Sequence, residues 1–279
     1  AEILFRDRGF SGNPWDNKVQ FKGNILSRNA EYGEESGFIA AFHFYVQDVP
    51  KKIDAVAERP ELCRLRVNGK EVSWKPNETY LDHNFGVSDI SEVVVKGENL
   101  VEMIVNRFDV RMELEAIYLK GDFCVEADGD RWIISKPNGV DYGFWRNQGL
   151  PFYPYAVNYT YGFLLEAVPK TALIDIEEYG AAAVSIHING QNAGLLHADG
   201  RKPSEIAPFL KKGENKIRIR VAGNFKNMLG PYFVTARESA WPSMWKITPT
   251  HAPEPKAYDL LDFGLTRPPI LIKGDDINE

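Results

Sequence analysis

The stretch YGFWRNQGLPFYPY (142–155) packs Phe144, Trp145, Arg146, Asn147, Gln148, Tyr153 and Tyr155 into fourteen positions. A sugar ring has an apolar face of C–H bonds that packs on an aromatic ring, and a rim of hydroxyls that needs directed donors and acceptors. Trp145 and Tyr153 are of the type that supplies the first, and Arg146, Asn147 and Gln148 the second. Two further segments carry the same chemistry. ESAWPSMW (238–245) sets Trp241 and Trp245 in a loop with a proline, and LLHADGR (195–201) offers His197, Asp199 and Arg201 as hydrogen-bonding groups. The competing reading is that Trp145 and Tyr153 seal the end of a core and that Trp241 and Trp245 cover a core edge, since large aromatics are mostly buried.

Hydrolysis of a glycosidic bond would need two carboxylates at a set separation. Glu113, Glu115, Asp122 and Glu126 are candidates among 39 acidic residues, and no spacing pairs any two of them. The expectation is therefore no catalytic residue. The histidines (43, 83, 187, 197 and 251) are scattered, and no metal-ligand spacing joins them to Cys63 or Cys124. No cofactor is expected. ADGD (127–130) has oxygen ligands for a structural calcium but is too short for a complete site, and it reads as a hairpin tip. No phosphate loop, dinucleotide fingerprint or nucleophile elbow is present. A net charge of −6 disfavours a nucleic-acid partner, and no apolar run reaches the length of a membrane span.

These side chains need a frame, and the sequence writes that frame twice. VKGENLVEMIV (95–105) returns as KKGENKIRIRV (211–221). Each copy follows an Asn-Gly turn, LRVNGKEV (65–72) and IHINGQNA (186–193), and each turn follows an aromatic-rich run, GFIAAFHFYVQDVP (37–50) and YTYGFLLEAVPK (159–170). Three matches in one order mark a duplicated domain. Within the copies apolar residues alternate. Val184, Ile186 and Ile188 share one face of a strand, as do Ile217, Ile219 and Val221. Asn-Gly supplies the positive φ that tight hairpin turns require. The alignment puts Cys63, Leu65 and Val67 in the first core. Leu100 and Ile104, on the opposite face, predict a strand covered on both sides, by the other domain or by a missing one. Helices should be short and few. The fold class is all-β: two tandem jelly-roll β-sandwiches, 1–120 and 121–279, meeting near Gly121 without a flexible linker.

The series Asn-Gly, then Asp89-Ile90 or Glu205-Ile206, then Lys-Gly-Glu-Asn resembles the galactose-binding-domain-like sugar-binding domain of glycoside hydrolase family 2. ERPEL (58–62), YLKGDF (118–123), WRNQGLPFYPYAVNY (145–159), NMLGP (227–231) and YDLLDFGL (258–265) are similar to the C-terminal region of large bacterial α-L-rhamnosidase-like enzymes. In such enzymes a separate barrel does the chemistry, and this chain shows no alternating strands and helices to build one. The resemblance implies a non-catalytic carbohydrate-binding or structural accessory region of a bacterial glycosidase acting in polysaccharide degradation. It also implies a glycan or a catalytic domain as partner, and a periplasmic or secreted location. The alternatives are a hydrolase in its own right and an adhesive protein-binding module. If the chain binds sugar, the second domain is expected to do it.

Overall fold

The computed structural model describes residues 2–15, 22–112, 114, 116–196, 203–231 and 254–274. Strands dominate, helices are short, and the chain divides into two compact units.

In the first unit the strands are β1 (Phe38–Val46), β2 (Ile53–Glu58), β3 (Arg64–Val67), β4 (Lys70–Val72), β5 (Thr79–Tyr80), β6 (Asp82–Asp89), β7 (Gly97–Val105), β8 (Tyr118–Gly121), β9 (Cys124–Asp128) and β10 (Arg131–Ser135). One sheet runs β4-β3-β7-β1-β10-β9 and the other β5-β6-β2-β8. Between them lie Ile53, Ala55, Leu65, Val67, Val101, Met103 and Val105, all buried, together with Cys63. Burial pushes the Cys63 thiol up to about 12, with Glu61 adding to it, so Cys63 is an inert core residue. A satellite core of Phe5, Ile25, Phe108 and Val110 gathers the N-terminal helices Glu2–Asp7 and Lys22–Ser27.

The second unit contains β11 (Ala156–Leu165), β12 (Ala172–Asp175), β13 (Tyr179–Gly180), β14 (Ala183–Ile188), β15 (Gln191–Leu196), β16 (Ser204–Glu205), β17 (Gly213–Ala222), β18 (Gly264–Leu265) and β19 (Ile270–Lys273). Its sheets run β11-β17-β14-β15 and β16-β12-β19, with a short β13-β18 pair. The core comprises Ile174, Val184, Ile186, Ile188, Ile206, Ile217, Ile219, Val221 and Leu265 around Trp145.

The duplication is real at the level of strand order and register. β4-β3-β7-β1 corresponds to β15-β14-β17-β11, and β6-β2-β8 to β16-β12-β19. Val46 pairs with Gly97 as Leu165 pairs with Gly213, and Val67 pairs with Val101 as Ile188 pairs with Ile217. LKG (119–121) ends β8 and IKG (272–274) ends just past β19, but the similar letters are offset by one position in register: Gly121 stands opposite Ile53 and Lys273 opposite Ala172, and the Ile53 and Ala172 carbonyls accept equivalently from Ile90 and Ile206. A Cβ on Gly121 would sit 2.5 Å from the Lys52 carbonyl, and one on Gly274 would strike the Thr171 side chain. Only glycine lets these strands close on the chain entering β2 and β12.

One expectation is corrected. The boundary near Gly121 moves to Pro137–Asn138, because the hairpin β9-β10 extends the first sheet, with β10 running parallel to β1. ADGD is the tip of that hairpin, with Gly129 at φ 61°. Leu100 and Ile104 are half-buried. The ion pairs Arg64–Glu71, exposed, and Arg66–Glu102, part-buried, flank them.

Candidate functional site

The shared letters of the repeat turn out to build a clasp. Asn68 and Asn189 occupy the left-handed region at φ 49° and 51°, followed by Gly69 and Gly190 at φ 80° and 87°. The Asn68 amide donates to the Val93 carbonyl and to Asn99 Oδ1, each at 2.8 Å, and its own Oδ1 accepts from the Leu100 N–H. Asn99, 1% exposed, accepts from the Val95 N–H and donates to the Val95 and Gly97 carbonyls. In the second unit Asn189 donates to the Phe209 carbonyl and Asn215 Oδ1, and accepts from the Lys216 N–H. Asn215, 3% exposed, accepts from the Lys211 N–H and donates to the Lys211 and Gly213 carbonyls. The two networks match bond for bond. Every amide group is used inside the protein, so the clasp is scaffold and leaves nothing for a ligand.

The aromatic stretch 142–155 divides between core and surface. Trp145 is 1% exposed, and its indole N–H donates to the Tyr159 hydroxyl at 2.9 Å. Its ring lies against Tyr153 and Phe263. It is sealed in the core and offers no face to a ligand, which corrects its assignment as a stacking platform. Gln148 is likewise occupied: Oε1 accepts from the Asp141 N–H at 2.8 Å, and Nε2 donates to the Asp141 carbonyl. Arg146 and Asn147 are exposed, and Arg146 pairs with Asp262 at 2.7 Å. His197, Asp199, Arg201, Trp241 and Trp245 lie outside the described residues.

Beyond Trp145 the rings climb to the surface. Tyr153 is half-buried and meets Tyr155 at 5.8 Å between centroids; Tyr155 meets Phe225 at 6.0 Å. Tyr155 is 45% exposed and Phe225 38%. Burial raises the Tyr153 phenol above its ordinary value, Tyr155 adds to the rise, and Arg220 opposes it. The Tyr155 carbonyl accepts from the Gly223 N–H where β11 begins and β17 ends, and Asn158 and Arg220 stand opposite each other on these two strands a few residues further along. The chain is held here by Asn227, buried, whose side chain bonds to the Pro151 carbonyl and to both the N–H and carbonyl of Leu261. That is the work of NMLGP. Exposed rings next to a guanidinium and an amide can stack on C–H faces and bond hydroxyls. Sequence reading chose Trp145 and Tyr153 as the stacking rings and did not single out Phe225. Tyr155 and Phe225 were separable from Trp145 only by burial.

The first unit offers less. Its cleft of about 490 Å³ is lined by Asn29, Glu61, Arg64, Asn106, Arg107 and Asp109. Most of its charges are engaged: Arg64 pairs with Glu71 at 3.0 Å and Asp109 with Arg111 at 2.8 Å, while Arg107 donates to the Asn29 carbonyl at 2.9 Å. Burial works to raise the Asp109 carboxyl, yet hydrogen bonds from Arg111 and Asn29 hold it below its ordinary value. Asp54, buried in β2, is taken by Lys75 at 2.7 Å and Lys120 at 3.5 Å. Of the carboxylates considered for hydrolysis, Asp122 and Glu126 are exposed, and Glu126 accepts from the Ser135 hydroxyl; Glu113 and Glu115 lie outside the described residues. Among the described residues no three His, Cys, Asp or Glu side chains gather as metal ligands, and no helix is long and apolar enough to cross a membrane.

No family model and no curated protein matches this chain. Solved structures similar to it include glycosidases. A rhamnosidase from Novosphingobium sp. PP1Y shows 20% identity and a TM-score of 0.32, covering 84% of this chain and 21% of that protein. A β-glucuronidase from Bifidobacterium dentium, complexed with coumarin-3-O-glucuronide, shows 16% identity and a TM-score of 0.30, covering 53% and 28%. An α-L-rhamnosidase from Streptomyces avermitilis, complexed with L-rhamnose, shows 12% identity and a TM-score of 0.27, covering 67% and 22%. The chain thus spans between about a fifth and a little over a quarter of each of these three proteins.

Proposed function

We propose that this chain is a non-catalytic, carbohydrate-binding accessory region of a glycoside hydrolase, and that it meets sugar with its second unit. The observation that carries the reading is the surface series Tyr153, Tyr155 and Phe225 at the end of the strand pair β11-β17, which also carries Asn158 opposite Arg220. Ring faces and directed polar groups occur together there, as a sugar requires. The sequence resemblance to sugar-binding sandwiches points the same way. A catalytic domain as second partner is favoured by the strip of Ile39, Leu100 and Ile104 on the outer face of the first unit, where Ile39 is 57% exposed.

Affinity should be weak, because one stacking face and a few exchanged hydrogen bonds leave little after the cost of association. Amide shifts are followed while mono- and oligosaccharides are titrated into the 279-residue chain. The expected shifts fall on residues 153–160 and 220–229, and Tyr155→Ala with Phe225→Ala weakens binding at least fivefold. Shifts confined to the first unit, unchanged affinity in the double variant, or no binding of any sugar overturns the proposal.

A further inference from the structure

The outer face of β17 carries Lys216, Arg218 and Arg220 at alternate positions, all exposed. Alternate residues of a strand stand roughly 7 Å apart on one face, so the three cations form a row. Uncharged partners flank it. Thr160 and Asn158 of β11 stand opposite Arg218 and Arg220, and Ser185 of β14 stands opposite Arg220 on the other side. Among the described residues none of the three cations makes an ion pair; the one carboxylate in the row, Glu214, sits at its turn end. His187, opposite Arg218, has an enclosed Nδ1 with no hydrogen bond among the described residues.

This row has no counterpart in the first unit. There the corresponding strand has Leu100, Glu102 and Ile104, and Glu102 is neutralised by Arg66 at 2.6 Å. A chain with a net charge of −6 that sets three cations, unpaired among the described residues, on one sheet face concentrates a field there that draws anions. Guanidinium forks match a planar carboxylate in two parallel hydrogen bonds. A row of such forks beside amide and hydroxyl groups, running towards exposed Tyr155 and Phe225, suits a chain whose charge repeats and whose remaining groups are hydroxyls and C–H faces.

We infer that this face binds a carboxylate-bearing glycan, an oligomer of uronic acids, laid along β17. The inference rests on the carbohydrate-binding reading above and adds the charge of the ligand. It is tested by calorimetric titration of the whole chain with tetragalacturonic acid and with its methyl ester, which has the same backbone without the charge. The acid should bind at least tenfold more tightly than the ester, and raising the salt should close most of that gap. Arg218→Gln with Arg220→Gln should bring the acid down to the affinity of the ester. These side chains are exposed, and an unchanged amide spectrum reports that the variant folds; Lys216→Gln alone should give a smaller loss in the same direction. Arg64→Gln, on the matching face of the first unit, should change nothing.

Equal affinity for acid and ester overturns the inference while leaving the carbohydrate reading intact. Binding of neither, nor of any neutral oligosaccharide, removes both. Competition by polyglutamate as effective as by tetragalacturonate would show a general anion surface and overturn the glycan assignment.

Discussion

On the first unit the outer face of β7 presents Leu100, Glu102 and Ile104, with Ile39 and Ala41 across from them on β1. The matching positions in the second unit are Lys216, Arg218 and Arg220, with Thr160 and Asn158 across from them on β11. Turned inward, the same two strands agree: Val101 answers to Ile217, Met103 to Ile219 and Val105 to Val221. The clasp asparagines agree as well. What the copies share is what closes the sandwich, because a core position is fixed by the atoms around it and a clasp by the groups it must satisfy. The outer face is free of both constraints. The residues in which the copies differ are therefore the better guide to what each unit meets.

The comparison breaks most sharply at the clasp. Asn99→Ala and Asn215→Ala each leave an asparagine partner and three backbone groups without their hydrogen bonds, so each should cost about 3 kcal/mol. Urea denaturation followed by hydrogen exchange in each unit measures this. Similar losses in the two units confirm that the networks are equivalent; a loss below about 1 kcal/mol in one unit would show that its clasp is dispensable.

A smaller effect tests the turn that carries the clasp. Gly97 and Gly213 hold φ at 97° and 90°, and a Cβ on either would meet nothing within 4 Å. Gly97→Ala and Gly213→Ala then cost only the backbone strain, about 1 kcal/mol each. Thermal unfolding should show the two variants lowered alike.

The smallest effect concerns the outer faces. The hydrogen bond from Arg66 holds the Glu102 carboxyl below its ordinary value, more than offsetting its desolvation. Because the folded value is depressed, the pair stabilises the first unit above the unfolded carboxylate value of about 4.3 and the contribution is lost as pH falls through the folded value. In a carboxyl-carbon titration Arg66→Gln should return Glu102 to the ordinary range. Arg218→Gln, which has no carboxylate across from it, should leave the acid limb of stability where it was.

The sequence by itself determined the all-β class, the duplication, the inward alternation and the two Asn-Gly turns. These are local: period-2 burial, positive φ and a recurring order are all written in neighbouring letters. It placed Cys63 in the core through the alignment of the copies. The tertiary structure alone decided the rest. Trp145 and Tyr155 are ten residues apart in the same aromatic stretch, and only the positions of Tyr159 and Phe263 bury one and leave the other exposed. The hairpin β9-β10 reads as the opening of a second domain until β10 is seen to pair with β1, a contact between segments nearly ninety residues apart. The row of cations on β17 is visible as letters, but their lack of carboxylate partners among the described residues depends on which strands lie beside them. Burial, pairing and the balance of charge across a sheet are set by neighbours distant in the chain, and those are supplied by the fold.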